Sequence, residues 1–276
     1  EDLRRKRLRA IGNPNERFAE DHLRLLRAVR FAARFDLTID QATSDALRVH
    51  APLLKRISPE RIADELRRML TAKSRLVAWR MLWDYGLIDI ICRFMPSAEG
   101  ADFDEKRCPF SHLSPEPISF GLALAAGALS YRLHAPNADL AEMLSHREII
   151  RMGKAMRQAL RISNDELDCM QGTLEGAAMM LLGELRLCRY KRFAARPTAG
   201  ESCRLLHALS RTGAHQRRIA QVMDELEKLK DTEVAPPPLI TGDDLQEKLG
   251  LKPGPAFKRI LESVYDAQLE NEISTQ

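Results

Sequence analysis

Strand patterning is almost absent from this 276-residue sequence; apolar positions fall at helical spacing nearly throughout. Long apolar runs are missing as well. The richest, Ile118 to Leu129, has the length of a core helix and falls well short of the ~20 residues that cross a bilayer. No secretory leader is visible. These absences predict a cytoplasmic chain without a membrane partner. Cysteine is sparse and scattered: Cys92, Cys108, Cys169, Cys188 and Cys203 never stand at metal-clip spacing, and an odd number does not close into a disulfide set. Reduced, mostly buried thiols are expected. The chain also lacks an initiator methionine, so a fragment or a trimmed form is expected.

Hydrophobic content is 45% and charged content 30%, the balance of a globular chain and not of a disordered one. Net charge is a modest +4, but it is concentrated: residues 1–35 carry ten basic against five acidic side chains. A basic start suits a polyanion such as RNA or a triphosphate, or simply a solvated face.

Residues 16–35, ERFAEDHLRLLRAVRFAARF, read as one helix, with Leu23, Leu26, Ala28, Val29, Ala32 and Ala33 on the apolar side and no Gly or Pro. Within it Asp21, Arg24, Arg27 and Arg30 recur every third residue, so the series winds slowly around the axis. A carboxylate only accepts hydrogen bonds and a guanidinium only donates. A fixed Asp21–Arg24 pair therefore matches the cytosine and adenine edges, each an amino donor beside a ring-nitrogen acceptor. Uracil and guanine present the reverse order. The alternative is a surface salt bridge at i,i+3, worth roughly 0.2–0.5 kcal/mol.

Residues 2–39 closely resemble a segment of the bacterial tRNA nucleotidyltransferase and poly(A) polymerase family, the class II CCA-adding enzymes. The family pattern D-L-x(4)-L-R-x-I-G-x-P is met by Asp2, Leu3, Leu8, Arg9, Ile11, Gly12 and Pro14. The pattern R-F-x-E-D-x-x-R-x-L-R-A-x-R-F-A is met from Arg17 to Ala32. The resemblance implies that Asp21 and Arg24 form a protein template for the base of CTP or ATP, and that Arg27 and Arg30 belong to the same nucleotide site. It extends to S-x-E-R-I-x-x-E-L-x-x-M-L from Ser58, where Glu60, Arg61 and Glu65, with Glu20, would support the nucleotide helix. Helix capping by Ser58 and Glu60 and a local salt bridge are the other account of that motif.

Further along, helices are expected at about 40–51, 58–71, 73–91 (interrupted by Gly86), 118–135, 138–161, 164–182, 184–195, 202–212 and 214–230, with a Ser163–Glu166 capping box. Residues 96–117 read as a loop. Its Asp102-Phe103-Asp104 is not preceded by the Gly-rich phosphate turn that the family places before its metal-binding D-x-D, so a solvated loop is expected there. Ser130-Tyr131 stands where many relatives carry a His-Asp pair, so no hydrolase metal site is expected. His112, His134 and His146 are each isolated and expected at the surface or as caps. Arg186, Arg189, Lys191, Arg192 and Arg196 form a basic cluster that could meet an RNA backbone or be a solvated face. After Pro236-Pro237-Pro238, the segment G-D-D-L, G-L-x-P-G-P, I-L, D-A-x-L resembles the family's C-terminal motif, with Asn271 in place of the usual Gly. Lys252 and Gly254, at the start of its second helix, are candidate phosphate contacts.

The expected fold is all-α, an elongated multi-helix neck, body and tail: a nucleotide-recognition neck at 1–95, a linker at 96–117, a helical body at 118–235 and a tail at 236–276. The resemblance implies transfer of CMP and AMP from CTP and ATP to the 3′ end of tRNA, with pyrophosphate released. It places the catalytic carboxylates and Mg2+ on an N-terminal head outside these residues, so the chain itself is expected to hold no catalytic residue and no metal and to be inactive alone. Two other readings stand: a poly(A) polymerase of the same family, and a non-catalytic helical RNA-binding protein.

Overall fold

The computed structural model describes residues 1–93, 95, 101–135, 138–247, 250 and 254–274. The described residues are all-α apart from one two-residue parallel pairing, β1 (Arg7–Leu8) against β2 (Thr38–Ile39). α1 (Pro14–Glu20) starts at Asn13, whose side chain accepts the Asn15 N–H at 3.0 Å. α2 (Arg24–Phe35) follows, with Leu25, Leu26, Val29 and Ala32 fully buried. α3 (Gln41–His50) is capped by Asp40, and α4 (Pro59–Leu70) begins on a proline. Gly86, at φ +66°, separates α5 (Arg75–Asp84) from α6 (Leu87–Ile91), as its place in the sequence predicts.

The single helix expected over 16–35 is in fact two. Asp21 leaves the helix in an extended conformation (φ −147°, ψ 104°), and its Oδ1 accepts the Leu23 N–H at 3.0 Å. An aspartate that satisfies free amides at a helix start competes with helix continuation, which explains the break. Ser58 stands at the head of α4 but makes no side-chain capping bond.

α7 (Phe120–Leu133) is the most enclosed helix; every side chain from Phe120 to Arg132 is buried. It packs closely on α10 (Asn164–Leu182), and a Cβ at Gly121 would stand 2.6 Å from the Cβ of Cys169. Residues 101–117 are tied to this centre. Phe110 lies against Trp79 at 5.2 Å, and the buried Arg75 guanidinium donates to the carbonyls of Ser114 and Glu116. Of the two places expected for His134, the surface or a cap, the structure gives the cap: it is the C-cap of α7. It is 5% exposed, its Nδ1 lies 2.7 Å from the Ser130 carbonyl, and its Nε2 accepts the Asp104 N–H at 2.9 Å. The Asp104 side chain caps the Lys106 N–H at 3.0 Å.

The helix expected over 138–161 divides into α8 (Leu140–Met143) and α9 (His146–Leu160), because the Ser145 hydroxyl caps a new start. The Ser163–Glu166 capping box is present at α10. α11 (Leu187–Ala194), α12 (Ala199–Arg211) and α13 (Gln216–Lys228) complete a hydrophobic core that runs without a gap from Phe18 to Val222. In the tail, α15 (Pro255–Leu269) lies on α11 and α14 (Gly242–Glu247) packs on α15. None of the described helices is long and apolar enough to cross a membrane.

Candidate functional site

The break at Asp21 changes how the polar residues of this stretch are presented. The side chains of Asp21 and Arg24 do not bond to each other; the two residues are joined only through the backbone, where the Arg24 N–H donates to the Asp21 carbonyl at 3.1 Å. Asp21 Oδ1 is fixed by the Leu23 N–H, and its carboxylate faces Arg61 at 3.4 Å, outside the 2.7–2.9 Å of a strong charge-assisted bond. Arg24 Nη1 donates to the Arg17 carbonyl at 2.8 Å and to Glu20 Oε2 at 2.6 Å. Those two bonds leave its Nε and Nη2 donors unengaged. The Arg24 guanidinium beside Glu20 holds that carboxyl below its ordinary range. A carboxylate and a guanidinium, each anchored by backbone groups, thus stand at one turn with acceptor and donor capacity to spare.

One turn further, Arg27 and Arg30 converge on one carboxylate from α4. Glu65 is 2% exposed, and its oxygens lie 3.3 Å from Arg27 Nε and 2.6 Å from Arg30 Nε. Arg27 remains about half exposed while Arg30 is largely buried, its guanidinium 4.3 Å above the Phe31 ring. Of the candidate supporting residues, Glu20, Arg61 and Glu65 therefore touch members of the Asp21–Arg30 series directly. Glu60 lies exposed in the first turn of α4, where only the helix dipole engages it. The sequence reading passed over Arg17, which shares Glu20 with Arg24 at 2.6 Å. Its i,i+3 spacing to Glu20 was the available signal.

The basic cluster of α11 lies elsewhere, and its cations are engaged. Arg186 pairs with Glu270, Lys191 with the Asn271 carbonyl oxygen, Arg192 with Asp266, and Arg189 donates to the Met179 carbonyl. Gly254 is exposed at the head of α15 in an extended conformation; Lys252 lies outside the described residues. Among the described residues, no group of three or more His, Cys, Asp or Glu side chains could hold a metal ion. The Mg2+ implied by the resemblance therefore has no fitting site on the described residues.

Residues 36–98 match the family model described as the probable RNA and SrmB-binding site of polymerase A. A CCA-adding enzyme of Limosilactobacillus reuteri (strain DSM 20016) is 42% identical over 101 residues, 37% of this chain and 24% of that protein. Over these stretches the chain is similar to the CCA-adding enzyme and poly(A) polymerase family. A second relative, the CCA-adding enzyme of Streptococcus pyogenes serotype M5 (strain Manfredo), is 52% identical over 71 residues, 26% of this chain and 18% of its own length. The chain thus spans about a quarter or less of the curated family members it matches. A likeness of fold extends through the whole chain. The Bacillus stearothermophilus CCA-adding enzyme, solved in complex with CTP, superimposes with a TM-score of 0.68 at 21% identity over 99% of this chain and 63% of that one. The Thermotoga maritima CCA-adding enzyme, solved with tRNA, gives 0.58 at 17% identity over 100% and 63%. At these identities the likeness is one of fold.

Proposed function

We propose that this chain is the nucleotide-selecting and RNA-holding portion of a CCA-adding tRNA nucleotidyltransferase, an enzyme that transfers CMP and AMP from CTP and ATP to the 3′ end of tRNA and releases pyrophosphate. The observation that carries this reading is the anchored Asp21–Arg24 turn followed by Arg27 and Arg30 on Glu65. In it, Asp21 Oδ2 accepts from the amino group of cytosine or adenine while Arg24 donates to the adjacent ring nitrogen. Uracil and guanine would set carbonyl against carboxylate and N–H against guanidinium. A bidentate match of this kind discriminates by about 1–3 kcal/mol in nucleic-acid readout. Arg27 and Arg30 supply positive charge toward the triphosphate, and Glu65 keeps both guanidiniums oriented without a ligand. Residues 1–95 are the nucleotide-recognition part in this reading, 118–235 the body and 236–276 the tail.

The test is binding of CTP, ATP, UTP and GTP to the 276-residue chain, with Asp21→Ala and Arg24→Ala alongside. Preference for CTP and ATP, lost in both variants, is expected. Equal binding of all four would overturn the template. In the same reading the pure chain binds nucleotide without extending RNA, and polymerisation by it would overturn that part. The polymerase A description matched at 36–98 favours one second reading, a poly(A) polymerase. Extension assays on the complete protein separate the two: ATP alone suffices for poly(A) synthesis, whereas CCA addition requires CTP first.

A further inference from the structure

α15 meets α11 through a set of ion pairs and through the Arg192 guanidinium, 5.2 Å over the Tyr265 ring. Arg192 Nε lies 2.6 Å from Asp266 Oδ1, and Arg186 Nε lies 3.3 Å from Glu270 Oε1. The same Glu270 oxygen accepts the Cys188 N–H at 3.0 Å, and Lys191 Nζ donates to Asn271 at 3.0 Å. Leu269 is the single fully buried side chain among those described on α15; Ile260, Leu261, Val264 and Tyr265 are partly buried, and much of the polar face is exposed. Clefts of about 420 Å³ open along the contact, and Arg192 and Tyr265 line both. Asp266 and Glu270 are one helical turn apart, about 5–6 Å at Cβ, the order of the spacing between successive phosphates of a nucleic-acid strand. Apolar burial is the main force that holds a helix in place, so a helix with one fully buried apolar side chain is held less firmly than the helices of the core. Partly exposed ion pairs add little, and salt weakens them.

We propose that α15 is an intramolecular stand-in for an RNA strand: its carboxylates occupy the cationic face of α11, and an RNA phosphate backbone binds that face by displacing the helix. The inference rests on the RNA-holding reading above and adds to it a competitor built into the chain. Arg186, Lys191 and Arg192 become the phosphate contacts, and their pairing with α15 raises the threshold for weakly bound polyanions.

Hydrogen exchange of the 276-residue chain with and without a tRNA transcript lacking its CCA end, at constant salt, tests the proposal. RNA is expected to speed exchange in α15 while α11 stays protected. The double substitution Asp266→Asn with Glu270→Gln is expected to speed α15 exchange without RNA and to tighten RNA binding several-fold by fluorescence anisotropy. Alkylation provides an RNA-free reading. Cys188 is buried beneath α15, and burial, with Glu270 next, pushes its thiol up to about 11. The double variant should alkylate several-fold faster at Cys188 and unchanged at Cys203 on α12, which guards against general unfolding. RNA that binds with α15 exchange unchanged or slowed overturns the competition and leaves the RNA-holding reading standing. No RNA binding by either parent or variant overturns both, and unaltered Cys188 alkylation in the variant shows that the carboxylates do not hold α15.

Discussion

Glu65 is the residue on which the cations of α2 depend. It is a buried carboxylate with a guanidinium on each oxygen, so neither oxygen lacks a partner. Removing one side of a buried ion pair leaves the other side desolvated and unpaired, at a cost of about 3–5 kcal/mol. Arg27 is half exposed and regains water, so the lower end is expected here. Glu65→Ala should destabilise the chain by about 3 kcal/mol in urea unfolding and weaken triphosphate binding; an unchanged unfolding midpoint would show that Arg30 finds water or another acceptor. Asn271 shows how residue chemistry explains a departure from a family pattern. It stands where the family's C-terminal motif has Gly, and it adopts φ +62°. Asparagine is among the few other residues that enter the left-handed region readily, and here its carbonyl oxygen also accepts from Lys191. The Asp21–Arg24 spacing was legible in the sequence, whereas the partners Arg61 and Glu65 were legible only through the family motif. They lie 40 and 35–38 residues away, and no local periodicity joins residues that far apart.

Helix placement was the most readable level, because caps and breakers act within one turn of where they sit. Gly86, the Ser163–Glu166 box and the proline at the start of α4 all mark boundaries that the structure keeps. The missed boundaries, at Asp21 and Ser145, are polar residues inside otherwise helical runs, and each side chain accepts a backbone N–H two or three residues on. Closeness of approach between helices was not readable. Gly121→Ala would drive a Cβ to 2.6 Å from the Cys169 Cβ and 2.9 Å from the Met170 amide, so it should destabilise by about 1–3 kcal/mol. Gly200→Ala meets nothing within 4 Å on α12 and should stabilise by roughly 0.5–1 kcal/mol. Paired urea unfolding curves check both signs. α4 and α10 are joined by Arg67, which bonds Glu166 at 2.7 Å. Burial alone would raise the Glu166 carboxyl, but the Arg67 guanidinium and the Ser163 N–H outweigh it and hold it below its ordinary value of 4.5. A depressed carboxyl contributes its stability above the unfolded value and loses it as pH falls through the lower folded value. The stability difference between the parent and Glu166→Gln should therefore be constant above about pH 5 and shrink on acidification below 4.5. A difference that grows in acid would contradict that sign.

The whole molecule exposes 15065 Å², against roughly 12,000 Å² for a compact monomer of its mass. The excess agrees with an elongated helical array, in which layers stack along the chain and do not close into a sphere. Small-angle scattering should give a radius of gyration above the roughly 19 Å of a compact chain of this length; a value at or below it would mean that the array folds back on itself in solution.

The sequence by itself determined the all-α class, most helix boundaries and the family motif around Asp21 and Arg24. These depend on propensity, capping and spacing, which operate between residues a few positions apart. The tertiary structure alone decided that the motif helix breaks at Asp21, that Arg24 turns to Glu20, that His134 is buried, and that the cations of α11 face α15. The physical reason is that long-range partners are selected by which helix faces come together. Many registers satisfy the same apolar periodicity, and only the packed core chooses between them.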